Sequence, residues 1–293
     1  MHILRYRRAD SERPRVGVLT DGRVTELEGT GSLGELWSLP LDELRDRLGN
    51  ASGPESDPAE ISLLAPVDGR TEVWACGVTY EISRAARREE SERSADVYAQ
   101  VYDAERPELF FKSAAWRVSG SGQPIAIRDD SAVNVPEPEV ALVVTSAGQI
   151  AGYTVCNDVS SRSIEGENPL YLPQAKSYLG ACAVGPMIRP AWEIADPYAL
   201  TIRLAIDRGP VEIWQGTAST AQLRRRYDDL VRYLMHADIH PEGALLSTGT
   251  CLVPAAPFSL AEGDTVRIIV AGVGTLENPV VRGLAAMQAA LDG

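Results

Sequence analysis

The sequence predicts a mixed α+β fold, mostly β, with a small N-terminal α+β domain at 1–60 and a larger domain at 61–293. Its apolar stretches are mainly short runs rich in β-branched residues and bounded by glycine, proline, asparagine or aspartate, as in strands joined by turns. Only a few segments have helical periodicity. Strands and helices do not alternate regularly, which argues against a doubly wound parallel sheet.

The composition is typical of a globular chain, with 44% of the 293 residues hydrophobic and 24% charged. A formal net charge of -13 argues against nucleic acid and anionic membranes as partners, because it repels phosphate. No apolar run approaches the ~20 residues of a membrane helix, and the N-terminus lacks the apolar core of a signal peptide. We therefore expect a cytoplasmic protein whose four cysteines are reduced and buried.

Turn and breaker residues delimit the N-terminal domain. Residues 3–9 alternate weakly, as in a strand, and Asp21-Gly22 between two β-rich runs predicts a hairpin. Leucines at helical spacing predict a short helix at 41–48. The segment 50–58, rich in glycine, proline and serine, is the best linker in the chain and ends this domain.

The larger domain is expected to contain several strands and two helices. A long, mostly exposed helix is predicted at 81–105 and a polar, proline-containing loop at 166–176. The other predicted elements are strands at 72–77, 108–112, 124–128, 199–207 and 211–215, an amphipathic helix at 220–236, a strand at 244–252 and a final strand at 264–272.

A hairpin with a four-residue loop is predicted where the β-rich runs 140–145 and 150–156 follow one another. We expect Thr145 to pair with Ile150. The other pairs follow from that register, and a shift of one residue would turn every side chain to the opposite face of the sheet.

This register brings three carboxylates to the open end of the hairpin, with Glu139 opposite Cys156 and Glu137 opposite Asp158. Glu137 and Glu139 share a face, and directly opposed residues lie roughly 5 Å apart at Cβ. Like charges at that distance repel, so a hard cation such as Mg²⁺ or Ca²⁺ would stabilise them. A solvated acidic hairpin end is the alternative, and these residues alone leave both open.

The basic residues are unevenly divided, because lysine and arginine together number 28 and only Lys112 and Lys176 are lysines. A lysine in such a sequence is a candidate for what arginine cannot do, namely lose a proton or fit as a compact ammonium. A purely structural role is the alternative. A period of two puts Glu108, Phe110 and Lys112 on one strand face, where an exposed ion pair of little energetic weight is again the alternative.

An ordered set of motifs resembles the fumarylacetoacetate hydrolase superfamily over residues 62–282. The motifs are Gly77-Val-Thr-Tyr80, Phe110-Phe-Lys112, Pro136-Glu-Pro-Glu139, Gly152-Tyr-Thr154, Asn157-Asp-Val-Ser160, Lys176-Ser177, Thr248-Gly-Thr250, Glu262-Gly-Asp-Thr-Val266 and Gly272-Val-Gly-Thr-Leu276. The resemblance implies a β-roll catalytic domain and a homodimer or homotetramer. It also implies Mg²⁺, with Mn²⁺ or Ca²⁺ as substitutes, bound by Glu137, Glu139 and Asp158.

Within that superfamily, the segments 101–112 and 167–176 are most similar to dehydratases of 2-keto-3-deoxypentonates such as 2-keto-3-deoxy-D-arabinonate. A small-molecule 2-keto acid would lose its C3 proton and C4 hydroxyl to give 2,5-dioxopentanoate. That reaction needs a base beside C3 and a Lewis acid on the keto oxygen. We hypothesise that Lys176 is the base and that Glu108 helps the hydroxyl leave. The substrate oxygens would be held by Lys112, Thr79 and Thr250.

The sequence departs from the superfamily pattern at two places. Hydrolase and decarboxylase members use a histidine–glutamate pair after the turn at Gly77, but no histidine lies between His2 and His236. Ser163 stands where an acid usually follows the metal-binding aspartate. The alternatives are a carbon–carbon hydrolase or decarboxylase of an acylpyruvate or oxaloacetate, which the missing histidine disfavours, and a non-catalytic metal-stabilised binding protein, which the two lysines disfavour.

Overall fold

A computed structural model describes residues 1–80 and 100–292, in which strands are more abundant than helices, as predicted. The strands are β1 His2–Arg8, β2 Ser11–Thr20, β3 Arg23–Glu26, β4 Glu55–Ser56, β5 Ile61–Leu64, β6 Glu72–Gly77, β7 Glu108–Ala114, β8 Ile125–Ile127, β9 Asn134–Val135, β10 Pro138–Val144, β11 Ile150–Asp158, β12 Ser160–Ser161, β13 Cys182–Pro190, β14 Thr201–Arg208, β15 Val211–Ser219, β16 Ala244–Ser247, β17 Asp264–Val270 and β18 Gly274–Arg282. The helices are α1 Leu33–Trp37, α2 Leu41–Gly49, α3 Arg162–Glu167, α4 Leu172–Lys176, α5 Tyr227–Leu234 and α6 Gly283–Asp292. No helix in the described ranges is long and apolar enough to cross a membrane.

One 11-stranded sheet connects the two predicted domains. Its order is β4-β3-β2-β1-β13-β11-β10-β16-β6-β7, with β5 paired to β1. The N-terminal strands therefore join the sheet that carries the acidic hairpin, through the pairing of β1 with β13 at Ile3 and Ile188. The domain boundary near residue 60 stays a prediction.

The two faces of β10 have different neighbours. Val140 and Leu142 belong to the main core, which β10 shares with Ile202, Leu204 and other residues of the five-stranded sheet β15-β14-β17-β18-β8. On the opposite face, Val143 packs in a core with α1 and α2. The acidic residues lie at the other end of that second face, so the packing of both faces fixes the strand that presents them.

The hairpin β10–β11 confirms the register predicted at the acidic end. Glu139 pairs with Cys156, and the Asp158 amide donates to the Glu137 carbonyl at 3.0 Å. The predicted pair of Thr145 with Ile150 is wrong, because a β-bulge shifts the register and Val144 pairs with Ile150. The bulge lies at the turn end of the hairpin and leaves the open end unchanged.

The predicted loop at 166–176 is wrong, because most of this segment is helical. It comprises the end of α3, a 3₁₀ turn at Pro169–Tyr171 and α4. Its two prolines occupy first-turn positions, where a helix needs no N–H donor. The Asn168 side chain accepts a hydrogen bond from the Leu170 amide and caps the 3₁₀ turn.

Several other boundaries differ from the prediction. Helix 220–236 begins only at Tyr227, because Leu223 and Arg224 bond instead to the backbone of Tyr80 and Thr79. Strand 244–252 ends at Ser247, before a left-handed turn with Gly249 at φ 91°. Strand 264–272 is followed by β18 and α6, so it is not the last strand. The helix predicted at 81–105 lies mainly outside the described residues. Within the part of this range that is described, residues 100–103 are helical.

Candidate metal centre and active site

Three buried carboxylates converge at the open end of the β10–β11 hairpin. Glu137, Glu139 and Asp158 each offer a carboxylate oxygen within 4.8 Å of the other two, and each side chain is at most 3% exposed. The described residues contain no other group of three or more histidine, cysteine, aspartate or glutamate side chains so arranged. The solvated hairpin end is therefore wrong, and this set of hard oxygen ligands fits a divalent cation.

Lys176, at the end of α4, places its ammonium among these carboxylates. Its Nζ lies 2.6 Å from Glu137 Oε2 and 3.0 Å from Asp158 Oδ2, and it donates to Ser160 Oγ at 2.7 Å. The same Nζ lies 5.6 Å from the ring centre of Phe110. Two acidic groups of the cluster thus contact the lysine for which the sequence predicts a catalytic role.

Lys112 is also buried against Asp158, but its contacts differ. Its Nζ lies 2.5 Å from Asp158 Oδ1 and donates to the carbonyls of Val159, at 3.1 Å, and Lys176. Three acceptors therefore surround an ammonium that has three N–H groups. The exposed ion pair with Glu108 is wrong, because Lys112 is 1% exposed and faces Asp158. Lys112 lies at a register shift between β6 and β7, where Phe111 pairs with Trp74 and Ser113 pairs with Val73.

Four further residues fix the orientation of the glutamates, and the sequence analysis did not assign them to the site. The Arg162 guanidinium bonds to Glu137 Oε1 and, 3.1 Å away, to Glu165 Oε2. Ser247 Oγ and the Gly249 amide donate to Glu139 Oε2 at 2.6 and 2.7 Å. Glu165 thus supplies an acid near the site, whereas Ser163 accepts a hydrogen bond from the Val133 amide.

The carboxylates have opposite pKa shifts. Burial and the charges of Asp158 and Glu137 raise the pKa of Glu139 well above its usual value, against the hydrogen bond from Ser247. Burial alone would also raise the pKa of Asp158, but Lys112 and Lys176 outweigh it and lower that pKa. The two lysines thus stabilise the charged form of Asp158, whereas no neighbouring positive charge is among the main influences on Glu139.

Glu108 lies beside the turn that ends β6. It pairs with Gly77, and a Cβ atom at Gly77 would lie 2.0 Å from Glu108 Oε2. The next residue, Val78, has φ 51°, which is rare for a β-branched side chain and marks a strained turn. After burial, the charges of Glu139 and Glu108 are the main causes that raise the pKa of Cys76, so both acids lie near this thiol.

Thr79 and Thr250 use their hydroxyl protons within the protein. Thr79 Oγ1 donates to the Thr248 carbonyl at 2.6 Å, and Thr250 Oγ1 to the Pro138 carbonyl at 3.0 Å. A hydroxyl committed in this way can accept a hydrogen bond from a ligand hydroxyl but cannot donate to a ligand carboxylate. Their predicted contacts with substrate, like that of Lys112, stay predictions.

The fold and this centre define a known class of protein. The chain belongs to the fumarylacetoacetate hydrolase family, because the family model described as fumarylacetoacetate (FAA) hydrolase C-terminal matches residues 79–281. The resemblance inferred from the motifs is confirmed.

Particular members of the family are similar over most of the chain. A Haloferax volcanii protein named probable 2-keto-3-deoxyxylonate dehydratase is 49% identical over 260 residues, which are 87% of this chain and 89% of that protein. The 2-dehydro-3-deoxy-D-arabinonate dehydratase of Saccharolobus solfataricus is 43% identical over 224 residues, 75% of each chain. A solved structure of 2-keto-3-deoxy-D-arabinonate dehydratase with magnesium and 2,5-dioxopentanoate superposes with a TM-score of 0.83 at 33% identity, covering 96% of this chain and 99% of that one.

Proposed function

We propose that this protein is a Mg²⁺-dependent dehydratase that converts a 2-keto-3-deoxypentonate, such as 2-keto-3-deoxy-D-arabinonate, into 2,5-dioxopentanoate and water. The observation that carries this proposal is the position of Lys176 within a buried three-carboxylate cluster. The identity of 43–49% to two dehydratases of such acids supports the substrate class.

The charges of the site suit an anionic substrate together with a divalent ion. Among the described residues of the site, the buried acids are Glu137, Glu139, Asp158 and Glu165 and the buried bases are Lys112, Lys176 and Arg162. In their ionised forms these acids carry one charge more than the bases. With Lys176 protonated, a divalent cation would leave the site with one positive charge, and the carboxylate of a 2-keto acid would balance it. This pairing would offset the free-energy cost of burying charged groups. Loss of the Lys176 proton to solvent before the reaction would leave the amine free to accept the C3 proton.

The proposed mechanism assigns one proton transfer to each of two side chains. Bound Mg²⁺ would supply Lewis-acid stabilisation of charge on the keto oxygen and offset the carboxylates that favour the charged form of Lys176. The neutral amine of Lys176 takes the C3 proton, while Ser160 Oγ and Phe110 hold this side chain in place. Glu108, directly or through a water, gives a proton to the departing C4 hydroxyl, and the unsaturated product tautomerises to the dioxo acid.

A substrate panel tests this function. The purified protein with Mg²⁺ is incubated with 2-keto-3-deoxypentonates of both C4 configurations and, separately, with an acylpyruvate and oxaloacetate. We expect an aldehyde product from a 2-keto-3-deoxypentonate and no reaction with the others. Cleavage of the acylpyruvate or loss of CO₂ from oxaloacetate would instead indicate a hydrolase or decarboxylase, and no reaction with any of them would indicate a binding protein.

We also propose a homodimer or homotetramer in the cytoplasm. Val211 and Ile213 are exposed on β15, an edge strand of the five-stranded sheet, and such an edge favours association. All four cysteines are free and buried, as is usual where thiols stay reduced. Light scattering coupled to size-exclusion chromatography gives the oligomeric state directly.

A further inference from the structure

We propose that fixed donors around the acidic cluster restrict each carboxylate to one metal-binding oxygen, so that the site selects a small six-coordinate ion such as Mg²⁺ over Ca²⁺. This inference rests on the proposed function, which requires the ion. It concerns residues that the mechanism does not use, above all Arg162, Glu165 and Ser247.

The first restricted carboxylate is Glu137. Its Oε1 accepts a hydrogen bond from the Arg162 guanidinium, whose other Nη lies 3.1 Å from Glu165 Oε2. Arg162 is 9% exposed and Glu165 is 3% exposed, so neither side chain can turn freely toward solvent. Glu165 is therefore a positioning residue that holds Arg162, and Arg162 holds one oxygen of the proposed ligand.

The other two carboxylates are restricted in the same manner by other groups. Glu139 Oε2 accepts from Ser247 Oγ at 2.6 Å and from the Gly249 amide at 2.7 Å. Asp158 Oδ1 lies 2.5 Å from Lys112 Nζ. The donors come from β7, β16 and the turn after β16, elements that the large sheet fixes relative to the hairpin.

The Lys176 ammonium indicates which oxygens remain for a cation. As a cation, it lies against Glu137 Oε2 and Asp158 Oδ2, whereas Arg162 and Lys112 contact the other oxygen of each carboxylate. In Glu139, Oε1 accepts no hydrogen bond from the described residues. Each carboxylate thus retains one oxygen for a metal ion.

A site that offers one oxygen from each of three carboxylates suits Mg²⁺ better than Ca²⁺. Mg²⁺ requires six ligands in a near-octahedral arrangement and commonly keeps positions for water or substrate. Ca²⁺ takes 6–8 oxygens and often binds both oxygens of one carboxylate. The fixed donors already hold the second oxygens of Glu137 and Glu139, so binding through both oxygens would compete with these hydrogen bonds and the larger ion is disfavoured.

Calorimetric titration of Mg²⁺ alone and Ca²⁺ alone into the metal-stripped protein tests this inference. The first variant is Arg162→Gln/Glu165→Gln, which removes a buried pair without changing the net charge. Its matched control is Asp229→Asn/Arg232→Gln, an exposed pair with the same i,i+3 spacing. The second variant, Ser247→Ala, changes no charge and needs no buried pair to be replaced. Its control is Ser56→Ala, which replaces a buried serine on β4, at the far edge of the 11-stranded sheet.

Both site variants should change the relative affinity for the two ions. Partners of metal ligands contribute about 10–100-fold to affinity, so we expect Mg²⁺ binding to weaken by about tenfold or more and Ca²⁺ binding by much less. The controls should leave both affinities unchanged. If the first variant does not fold, as judged by circular dichroism, Ser247→Ala decides the question.

A constant ratio of the two affinities in the variants would overturn the inference, because a merely structural defect weakens both ions together. That result would leave the proposed function intact. Wild-type protein that binds neither ion would refute the metal site itself, and with it both the proposed function and the selection of Mg²⁺.

Discussion

Lys112 and Lys176 are both buried near Asp158, yet their surroundings favour different roles. The three N–H groups of Lys112 face two backbone carbonyls and Asp158 Oδ1, so this lysine ties three segments together. Lys176 contacts the oxygens that a metal ion would use. The sequence could single out both lysines by their scarcity, but only the contacts separate a structural ammonium from a candidate base.

Replacement of Lys112 should destabilise the protein. Lys112→Met leaves Asp158 Oδ1 without its ion-pair partner and two buried carbonyls without this donor, and breaking a buried pair in this way costs about 3–5 kcal/mol. Urea unfolding followed by circular dichroism measures the free energy of unfolding. Arg70→Met is the control, because its ion pair with Glu242 involves an arginine that is 71% exposed and should contribute less than about 1 kcal/mol. Equal losses in the two variants would contradict the structural role of Lys112.

Replacement of Glu137 should weaken metal binding. Glu137→Gln keeps the shape of the side chain but removes the charge, so calorimetry should show Mg²⁺ affinity reduced by at least about tenfold, the smallest effect expected even for a supporting group. Glu167→Gln on α3 is exposed and should bind Mg²⁺ like the wild type. Unchanged affinity in Glu137→Gln would remove this residue from the proposed ligands.

The three acids could be predicted together because their proximity depends on one local hairpin. Strand alternation puts Glu137 and Glu139 on one face, and the register that pairs Glu139 with Cys156 brings Asp158 beside them. Ser247 could not be found in this way, because it lies 108 residues from Glu139 and reaches it only through the pairing of β10 with β16. The pairing of Arg162 with Glu165 depends on helix α3, which the sequence does not predict because the two prolines that follow it indicate a loop.

At the level of elements, the end of β6 and the start of β7 form a narrow contact that positions Glu108. Gly77 has no side chain and Glu108 Oε2 occupies the space that a Cβ would need. The strained Val78 turn follows directly, which leaves little freedom for the backbone to move away. The close approach of these two strands therefore limits where the Glu108 carboxylate can lie.

The variant Gly77→Ala should therefore reduce turnover without reducing Mg²⁺ affinity. A methyl group would displace the Glu108 carboxylate, and loss of a positioned acid costs about 10²–10⁴-fold in rate. Steady-state kinetics and calorimetry measure the two effects. Gly49→Ala is the control, because a Cβ there meets no atom within 4 Å. Wild-type turnover in Gly77→Ala would show that Glu108 does not act from this position.

Helical segments and irregular strands were the elements hardest to predict. Pro169 and Pro173 indicated a loop, although proline is well tolerated in the first turn of a helix. Strand β18 contains Glu277, Asn278 and Pro279, which are uncommon in strands, and its asparagine is buried with hydrogen bonds to the Gly120 and Gln123 carbonyls. Such tertiary bonds cannot be read from local sequence.

At the scale of the whole molecule, the N-terminal region completes the sheet and core of the rest of the protein. Leu33, Leu36 and Leu44 share a buried cluster with Val143 and Ile188. The β strands on both sides of the predicted boundary belong to one sheet. The linker-like composition of residues 50–58 thus gives no measure of how independent the two regions are.

Deletion of residues 1–60 should consequently prevent stable folding of the remainder. It would expose the apolar side chains of Val143 and Ile188 and leave β13 paired only with β11, so that its other edge loses β1. Thermal unfolding and size-exclusion chromatography of the 61–293 fragment should show aggregation or no cooperative transition. A monodisperse fragment that unfolds cooperatively and binds Mg²⁺ would contradict this prediction and support a separate domain.

Hydrogen exchange at C3 of the substrate tests the division of labour between Lys176 and Glu108 most directly. In D₂O with Mg²⁺, proton NMR follows both loss of the C3 signal from a 2-keto-3-deoxypentonate and formation of product. We expect Glu108→Gln to exchange the C3 hydrogen while product formation is strongly reduced, and Lys176→Arg, which cannot lose a proton in the accessible range, to do neither. C3 exchange at the wild-type rate in folded Lys176→Arg would contradict the assignment of Lys176 as the base.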